Sequence, residues 1–205
     1  MLFRKNSVAP LSGAIGTLSV PVEVSARHCH LSKADLEKLF GIGYELKKIK
    51  QLSQPSDFAC EETVSIKSYS NVLENIRIVG PEREQTQIEI SLTDAKKIGA
   101  NPPVRLSGDL KSSAGVILIG PKGEVELTEG LIIAQRHIHC ATDEAKKYKL
   151  KPGDVISVKI SGERPVIFEN IVVRVRDDYK LSLQLDTDEG NAAGINKIGE
   201  GEIKR

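Results

Sequence analysis

The chain has 205 residues, 40% hydrophobic and 28% charged, with Lys+Arg 29 against Asp+Glu 28. That balance excludes a disordered chain and fits one ordinary globular domain or two small ones. A net charge of +1, 4% aromatics and no Trp leave neither a basic field nor a stacking platform, so no nucleic-acid partner is expected.

The opening stretch, MLFRKNSVAPLSGAIG, is broken by Pro10 and Gly13 before a signal-peptide core can form. Residues 1–19 read as a flexible tail whose apolar positions draw no continuous helical stripe. Order is expected to begin in LSVPVEV, a strand over 18–24. Short β-rich runs follow at 63–67, 76–79, 87–90, 116–119, 130–134, 155–160, 166–175 and 180–185. Turn signals separate them, among them Gly80-Pro81, Gly120-Pro121-Lys122-Gly123, Pro152-Gly153-Asp154 and Ser161-Gly162. The best helix spans 33–40. Many short strands with few, short helices predict a mainly β protein of two tandem small β-barrel domains with short capping helices. The expected division is 20–105 and 106–205, approximate and open to the chain crossing over. No apolar run is long enough to span a bilayer, so no membrane is expected. Three cysteines without paired spacing suggest reduced thiols and a cytoplasmic protein.

An internal repeat is anchored at His30, Glu89 and His139. Two positions on stand Ser32, Ser91 and Ala141; five on stand the acids Asp35, Asp94 and Glu144. Each copy reads as a strand followed by a capped helical turn, and Ser32/Asp35 and Ser91/Asp94 fit a capping box with a shortened acid. The anchor residue at each strand end is one that can bind a metal.

All four histidines lie in two pairs, Arg27-His28-Cys29-His30 and Arg136-His137-Ile138-His139. On a strand, residues i and i+2 share a face, so each pair offers two imidazoles side by side. One such pair alone would read as two half-exposed polar residues. Two pairs, both preceded by Arg and using every His, point to a metal centre. Imidazole with carboxylate favours zinc or another late divalent ion. His28, His30 and Glu89 make one three-ligand set; His137 and His139 need a third ligand from elsewhere. Cys29 and Cys140 alternate to the opposite face and read as buried small hydrophobes. Arg27, Arg77, Arg83 and Arg136 surround these candidates, and guanidinium forks suit phosphate. The stretch 186–193, DTDEGNAA, reads either as a helix start with Asp188 and Glu189 near its dipole or as a loop closing over a ligand.

Four stretches carry a resemblance: VEVSARHCHLSKADLEKLFGIGYELKKIKQLSQPSDFACEETV, VGPEREQTQIEISLTDA, GLIIAQRHIHCATDEA and LQLDTDEGNAA. Over roughly residues 20–195 the chain resembles the phosphate propanoyltransferases, the PduL-type phosphotransacylases. The resemblance implies two β-barrels and a cleft with two metals, usually zinc. It implies transfer of a short acyl group, propanoyl or acetyl, between CoA and phosphate. The partners would then be coenzyme A, acyl-CoA, phosphate and acyl phosphate. It further implies a place in propanediol degradation, a homo-oligomer and, as an alternative to free cytoplasm, a bacterial microcompartment shell. Carried over by position, one zinc takes His28, His30 and Glu89, and the other takes His137, His139 and residue 184. Arg83 matches the phosphate-binding catalytic arginine. CoA contacts fall on Ala26, Arg27, His28, Ser70, Arg77 and Asn191. Gln184 stands where the family carries His. An amide is a weaker zinc ligand than imidazole, so the second site is expected to be weak or empty. A non-catalytic scaffold for metal and CoA, or a two-metal thioester or phosphate hydrolase, remain the alternatives on residues alone.

Overall fold

The computed structural model describes residues 18–69 and 71–204. The expected tail therefore lies outside the described residues, save Leu18 and Ser19, which already belong to the first strand. In chain order the first half comprises β1 (Leu18–Val24), β2 (His28–His30), α1 (Lys33–Phe40), β3 (Lys48–Gln51), β4 (Phe58–Ser68), β5 (Asn71–Gly80), β6 (Gln87–Glu89), α2 (Leu92–Lys97) and β7 (Val104–Arg105). The second comprises β8 (Ala114–Ile119), β9 (Glu124–Ala134), β10 (His137–Cys140), α3 (Thr142–Tyr148), β11 (Val155–Ile160), β12 (Val166–Val175), β13 (Ser182–Leu185), α4 (Thr187–Ala193) and β14 (Ile198–Lys204).

These strands close two six-stranded barrels. Barrel one runs β4-β5-β2-β6-β9-β8 and closes where β8 pairs with β4; β3 edges β4 and β7 edges β9. Barrel two runs β1-β13-β10-β12-β11-β14 and closes where β14 pairs with β1. Closure removes sheet edges and lets alternate side chains fill each interior. Cys29, Leu31, Ile66, Ile78, Ile88 and Leu131 lie in one core; Val20, Val22, Ile138, Val158, Val173 and Leu183 lie in the other.

Strand pairing divides the chain differently from the expected 20–105 and 106–205. β1 belongs to barrel two, and β8 and β9, at 114–134, belong to barrel one. From β1 in barrel two the chain leaves through 25–27, builds barrel one and returns through 135–136. Ladder bonds decide this: β1 pairs with β13 and β14 over its apolar Val20 and Val22, and finds no partner in barrel one.

Both barrels use one local design. In barrel one, β2 lies parallel to β5, with His28 beside Arg77, and antiparallel to β6, with His28 opposite Glu89 and His30 opposite Gln87. In barrel two, β10 lies parallel to β12, with His139 beside Arg174, and antiparallel to β13, with His137 opposite Gln184 and His139 opposite Ser182. A short helix follows each of β2, β6, β10 and β13, with a side-chain N-cap at α1, α2 and α4. Ser32 and Ser91 accept from the amides of Asp35 and Asp94, at 3.2 and 3.3 Å. The reciprocal half of those expected boxes is not made. Asp is one methylene shorter than Glu, and Asp94 is instead drawn to Arg27 and Lys97. The full box forms at α4, where Asp186 and Glu189 exchange both bonds. The 186–193 stretch is thus a helix start.

Polar contacts join the barrels. The Gln54 amide, from barrel one, donates to the Lys180 carbonyl at 2.9 Å and accepts from the Lys180 amide at 3.1 Å. The Asp188 carboxylate on α4 accepts from the Thr93 amide at 2.8 Å. Helix α4 itself is pressed onto β1 at Gly190, where an added Cβ would lie 2.5 Å from Val24 Cγ2 and 3.0 Å from the Ile195 carbonyl. Gly190→Ala should therefore destabilise the chain by about 1–3 kcal/mol, although Ala is the better helix former. Urea unfolding measures it; unchanged or higher stability would show that α4 is not seated against β1.

Candidate metal centre between the barrels

The two-residue period of the strands sets the site. Cys29 and Ile138 are 0% exposed and point into the two cores, so the flanking histidines project together on the other face. The His28 and His30 rings lie 5.1 Å apart, and those of His137 and His139 lie 4.7 Å apart. Three of the four rings are oriented from behind by backbone carbonyls. His28 Nδ1 meets the Ala26 carbonyl at 2.9 Å, His30 Nδ1 that of Val79 at 2.9 Å, and His137 Nδ1 that of Gln135 at 2.8 Å. A carbonyl only accepts, so Nδ1 carries the proton and Nε2 keeps its lone pair for a metal. His139 Nδ1 is buried and meets no partner among the described residues.

Neutral imidazole is the form that binds metal, and burial favours it at His30, His137 and His139. Burial holds His30 and His137 below the ordinary range and pushes His139 down to about 2, with His137, Arg174 and Arg176 adding to the effect on His139. Glu89 behaves oppositely. Burial opposes its charge, but His28, His137, a hydrogen bond from Ser107 and Arg83 together outweigh it and hold the carboxyl below its ordinary value.

The donor atoms of His28, His30 and Glu89 all lie within 4.8 Å of one another, close enough to share one ion. His28 Nε2 and Glu89 Oε2 are 3.8 Å apart, too far for a direct hydrogen bond and suited to an ion between them. Behind Glu89, the Gln87 amide donates to it and to Ser107 Oγ, and its oxygen accepts from the Gly108 amide at 2.7 Å. This set fits a zinc-like ion: three fixed donors, a charged carboxylate and a hydrogen-bonded outer layer.

The second pair lacks a third His, Cys, Asp or Glu donor at that spacing among the described residues. Its neighbour across the ladder is Gln184, whose nitrogen donates to Glu23 at 2.8 Å and to Ser182 at 2.9 Å. Its oxygen is the polar atom left without a donor among the described residues.

Arg83 reaches the same cleft. Its backbone amide bonds the Leu31 carbonyl at 2.9 Å, its guanidinium donates to Ser107 at 3.2 Å, and no carboxylate pairs with it among the described residues. Burial lowers its affinity for a proton. Arg27 is held by Asp94 at 3.3 Å and Arg136 by Glu189 at 2.9 Å, the same relation in each barrel. Arg77 donates to the carbonyls of Cys60 and Glu61 at 2.9 and 2.7 Å. Ala26 leads into β2 and Asn191 sits on α4. Ser70 lies outside the described residues. The cysteines are buried in the cores, and burial raises each thiol above its ordinary value.

Sequence reasoning missed Arg174, Arg176 and Tyr179. The Tyr179 ring stacks on His139 at 4.3 Å, with the Arg176 guanidinium 4.6 Å from its centre. The Arg176 amide bonds the Cys140 carbonyl, as the Arg83 amide bonds that of Leu31. Alternation at Arg174-Val175-Arg176 was the available signal. A fourth copy of the repeat was also missed: Gln184, then Asp186 at +2 and Glu189 at +5.

The family model for phosphate propanoyltransferase matches residues 21–196. The chain is similar to the phosphate propanoyltransferase of Thermotoga maritima, 49% identical over 176 residues, covering 85% of this chain and 84% of that one. It is 49% identical to that of Priestia megaterium over 178 residues, 87% and 82% of the two chains. Against that of Listeria monocytogenes identity is 44% over 184 residues, 90% and 86% of the chains.

Glu189 gives the site a pH signature. Burial, with Asp186 and Asp188 nearby, pushes it up to about 7 against the pull of Arg136. An unfolded chain ionises it near its ordinary 4.5, so the unfolded state sheds the proton first. Stability should fall as pH rises from about 4.5 to about 7 and then level off. Glu189→Gln keeps the capping oxygen and loses the titration, so the slope of Tm against pH in that window should flatten. An unchanged slope would show that Glu189 does not titrate there.

Proposed function

Since the chain belongs to the phosphate propanoyltransferase family, we propose that it catalyses acyl-CoA + phosphate ⇌ acyl phosphate + CoA with a short acyl group, propanoyl or acetyl. The observation that carries this reading is the preformed His28/His30/Glu89 centre with the unpaired Arg83 guanidinium beside it. A phosphate oxygen attacks the thioester carbonyl carbon. The new C–O bond replaces the C–S bond, and CoA leaves as thiolate, taking up the proton that phosphate releases.

Zinc held by His28, His30 and Glu89, and more loosely by His137, His139 and Gln184, would supply Lewis-acid polarisation and positive charge in the cleft. Arg83 holds the phosphate, its fork kept in place by Ser107 and by the backbone bond to Leu31. Ala26, Arg27, His28, Ser70, Arg77 and Asn191 are the proposed CoA contacts. Arg27 is presented by Asp94 and Arg77 by the β4 carbonyls. Burial of Glu89, His30 and His137 limits the access of water to those donors.

The test follows free thiol from propanoyl-CoA and acetyl-CoA with and without phosphate. Phosphate-dependent release with acyl phosphate as product supports transfer. Release without phosphate would make the chain a hydrolase, and CoA binding without turnover a scaffold. Arg83→Ala should raise the phosphate KM or lower kcat tenfold or more while sparing CoA binding, and Arg83→Lys should restore only part, because the fork is lost. Removing metal with a chelator should abolish turnover, with at least one zinc equivalent per chain found beforehand by elemental analysis. Full activity in metal-free protein would overturn the metal assignment.

A further inference from the structure

Across barrel two, Glu23, Gln184 and His137 stand in register on β1, β13 and β10: Glu23 is aligned with Gln184, and Gln184 with His137. Ladder partners share a face, so all three side chains project to the same side as the histidine pair. The amide of Gln184 then has two directions to choose from, toward β1 or toward β10.

Glu23 makes the choice. An ionised carboxylate only accepts, so the Gln184 group facing it at 2.8 Å must be the NH2. The same nitrogen also donates to Ser182 Oγ at 2.9 Å. Glu23 is itself steadied by the Ser53 hydroxyl of barrel one, and Ser182 by the Gln54 amide at 3.0 Å. With both N–H groups engaged, the amide oxygen is the remaining polar atom, and it meets no donor among the described residues. Since β13 is flanked by β1 on one side and β10 on the other, a nitrogen turned to Glu23 leaves the oxygen on the side of His137 and His139.

We infer that Glu23 is a positioning residue that turns Gln184 oxygen-first toward the second histidine pair, so that a neutral amide serves there as the third metal donor. This rests on the proposed second metal centre. The bond has two effects. It removes the rotamer in which NH2 would face a cation, and it draws density onto the oxygen through a charge-assisted bond. The contact is also a link between barrels, because Ser53 and Gln54 reach Glu23 and Ser182 from barrel one.

The experiment is a competitive zinc titration of the full chain, with metal content after gel filtration. Two variants lose the same charge: Glu23→Gln retains an acceptor for the Gln184 NH2, and Glu23→Leu does not. Wild type should take up two equivalents, the second more weakly. Glu23→Leu should weaken the second equivalent tenfold or more, and Glu23→Gln should fall clearly short of that loss. The first equivalent, at His28/His30/Glu89, should be kept by both, and a single urea-unfolding transition close to that of wild type certifies that barrel two is folded as well. Equal second-site affinity in the Leu and Gln variants, whether at the wild-type level or equally weakened, would overturn the positioning role. Gln184→Ala and His137→Ala separate the two failures. If they lose the second equivalent while Glu23→Leu keeps it, the centre stands and Glu23 does not position it. If wild type never takes a second equivalent, the centre and this inference fall together.

Discussion

Backbone ladder bonds align His28 with Glu89 across β2 and β6, and His137 with Gln184 across β10 and β13. These strands are only three or four residues long, yet every donor in the cleft depends on their register. A slip of one residue turns a strand inside out. It would send the imidazoles into the cores and bring Cys29 and Ile138 to the cleft. What prevents it is the packing of those two residues, fully buried between Leu31, Ile78 and Ile88 on one side and Val173 and Leu183 on the other. The apolar residue within each His-x-His pair is therefore as much a part of the site as the histidines.

The electrostatic character of the cleft follows from that depth. Burial disfavours the protonated form of His30, His137 and His139, and a neighbouring imidazole adds to the effect at His30 and His139. Glu89 is held below its ordinary value by His28, His137, a hydrogen bond from Ser107 and Arg83, against the opposing effect of its own burial. Arg27 and Arg136 have carboxylate partners on α2 and α4, whereas the Arg83 guanidinium donates to Ser107 and has no carboxylate partner among the described residues. Neutral donors, one carboxylate and an unpaired cation suit a divalent ion and an oxyanion together.

The local parts of this arrangement were legible in the sequence. His-x-His spacing, apolar neighbours and capping residues are encoded within a few positions, and the strands and the His28/His30/Glu89 set could be read from them. What was not legible arises from pairing between distant segments. Nothing near Val20 and Val22 says that they close a barrel with residues 198–204. Arg174 matters because β12 lies beside β10, and Tyr179 because a turn brings its ring onto His139. The fourth repeat escaped notice because its anchor is Gln, which does not stand out as a metal ligand, and because Gly190 replaces the usual Leu or Ala. Glu23 is one polar residue on a strand in the sequence; only the pairing of β1 with β13 brings it to Gln184.

The excursion of the chain from barrel two into barrel one and back orders its assembly. Barrel one is contiguous, from β2 through β9, and its strands can pair as soon as residue 134 has left the ribosome. β1 is made first, but its partners are β13 and β14, more than 150 residues later. Until they emerge, an apolar strand carrying Glu23 waits unpaired beside a finished barrel, and the second histidine pair has no Gln184 opposite it. The His28/His30/Glu89 donors can thus come together during synthesis, while the other half of the cleft must wait for the carboxyl terminus. A truncated or stalled chain would carry the His28/His30/Glu89 donors without Gln184 opposite His137, and would expose Val20 and Val22 as the mark of its incompleteness.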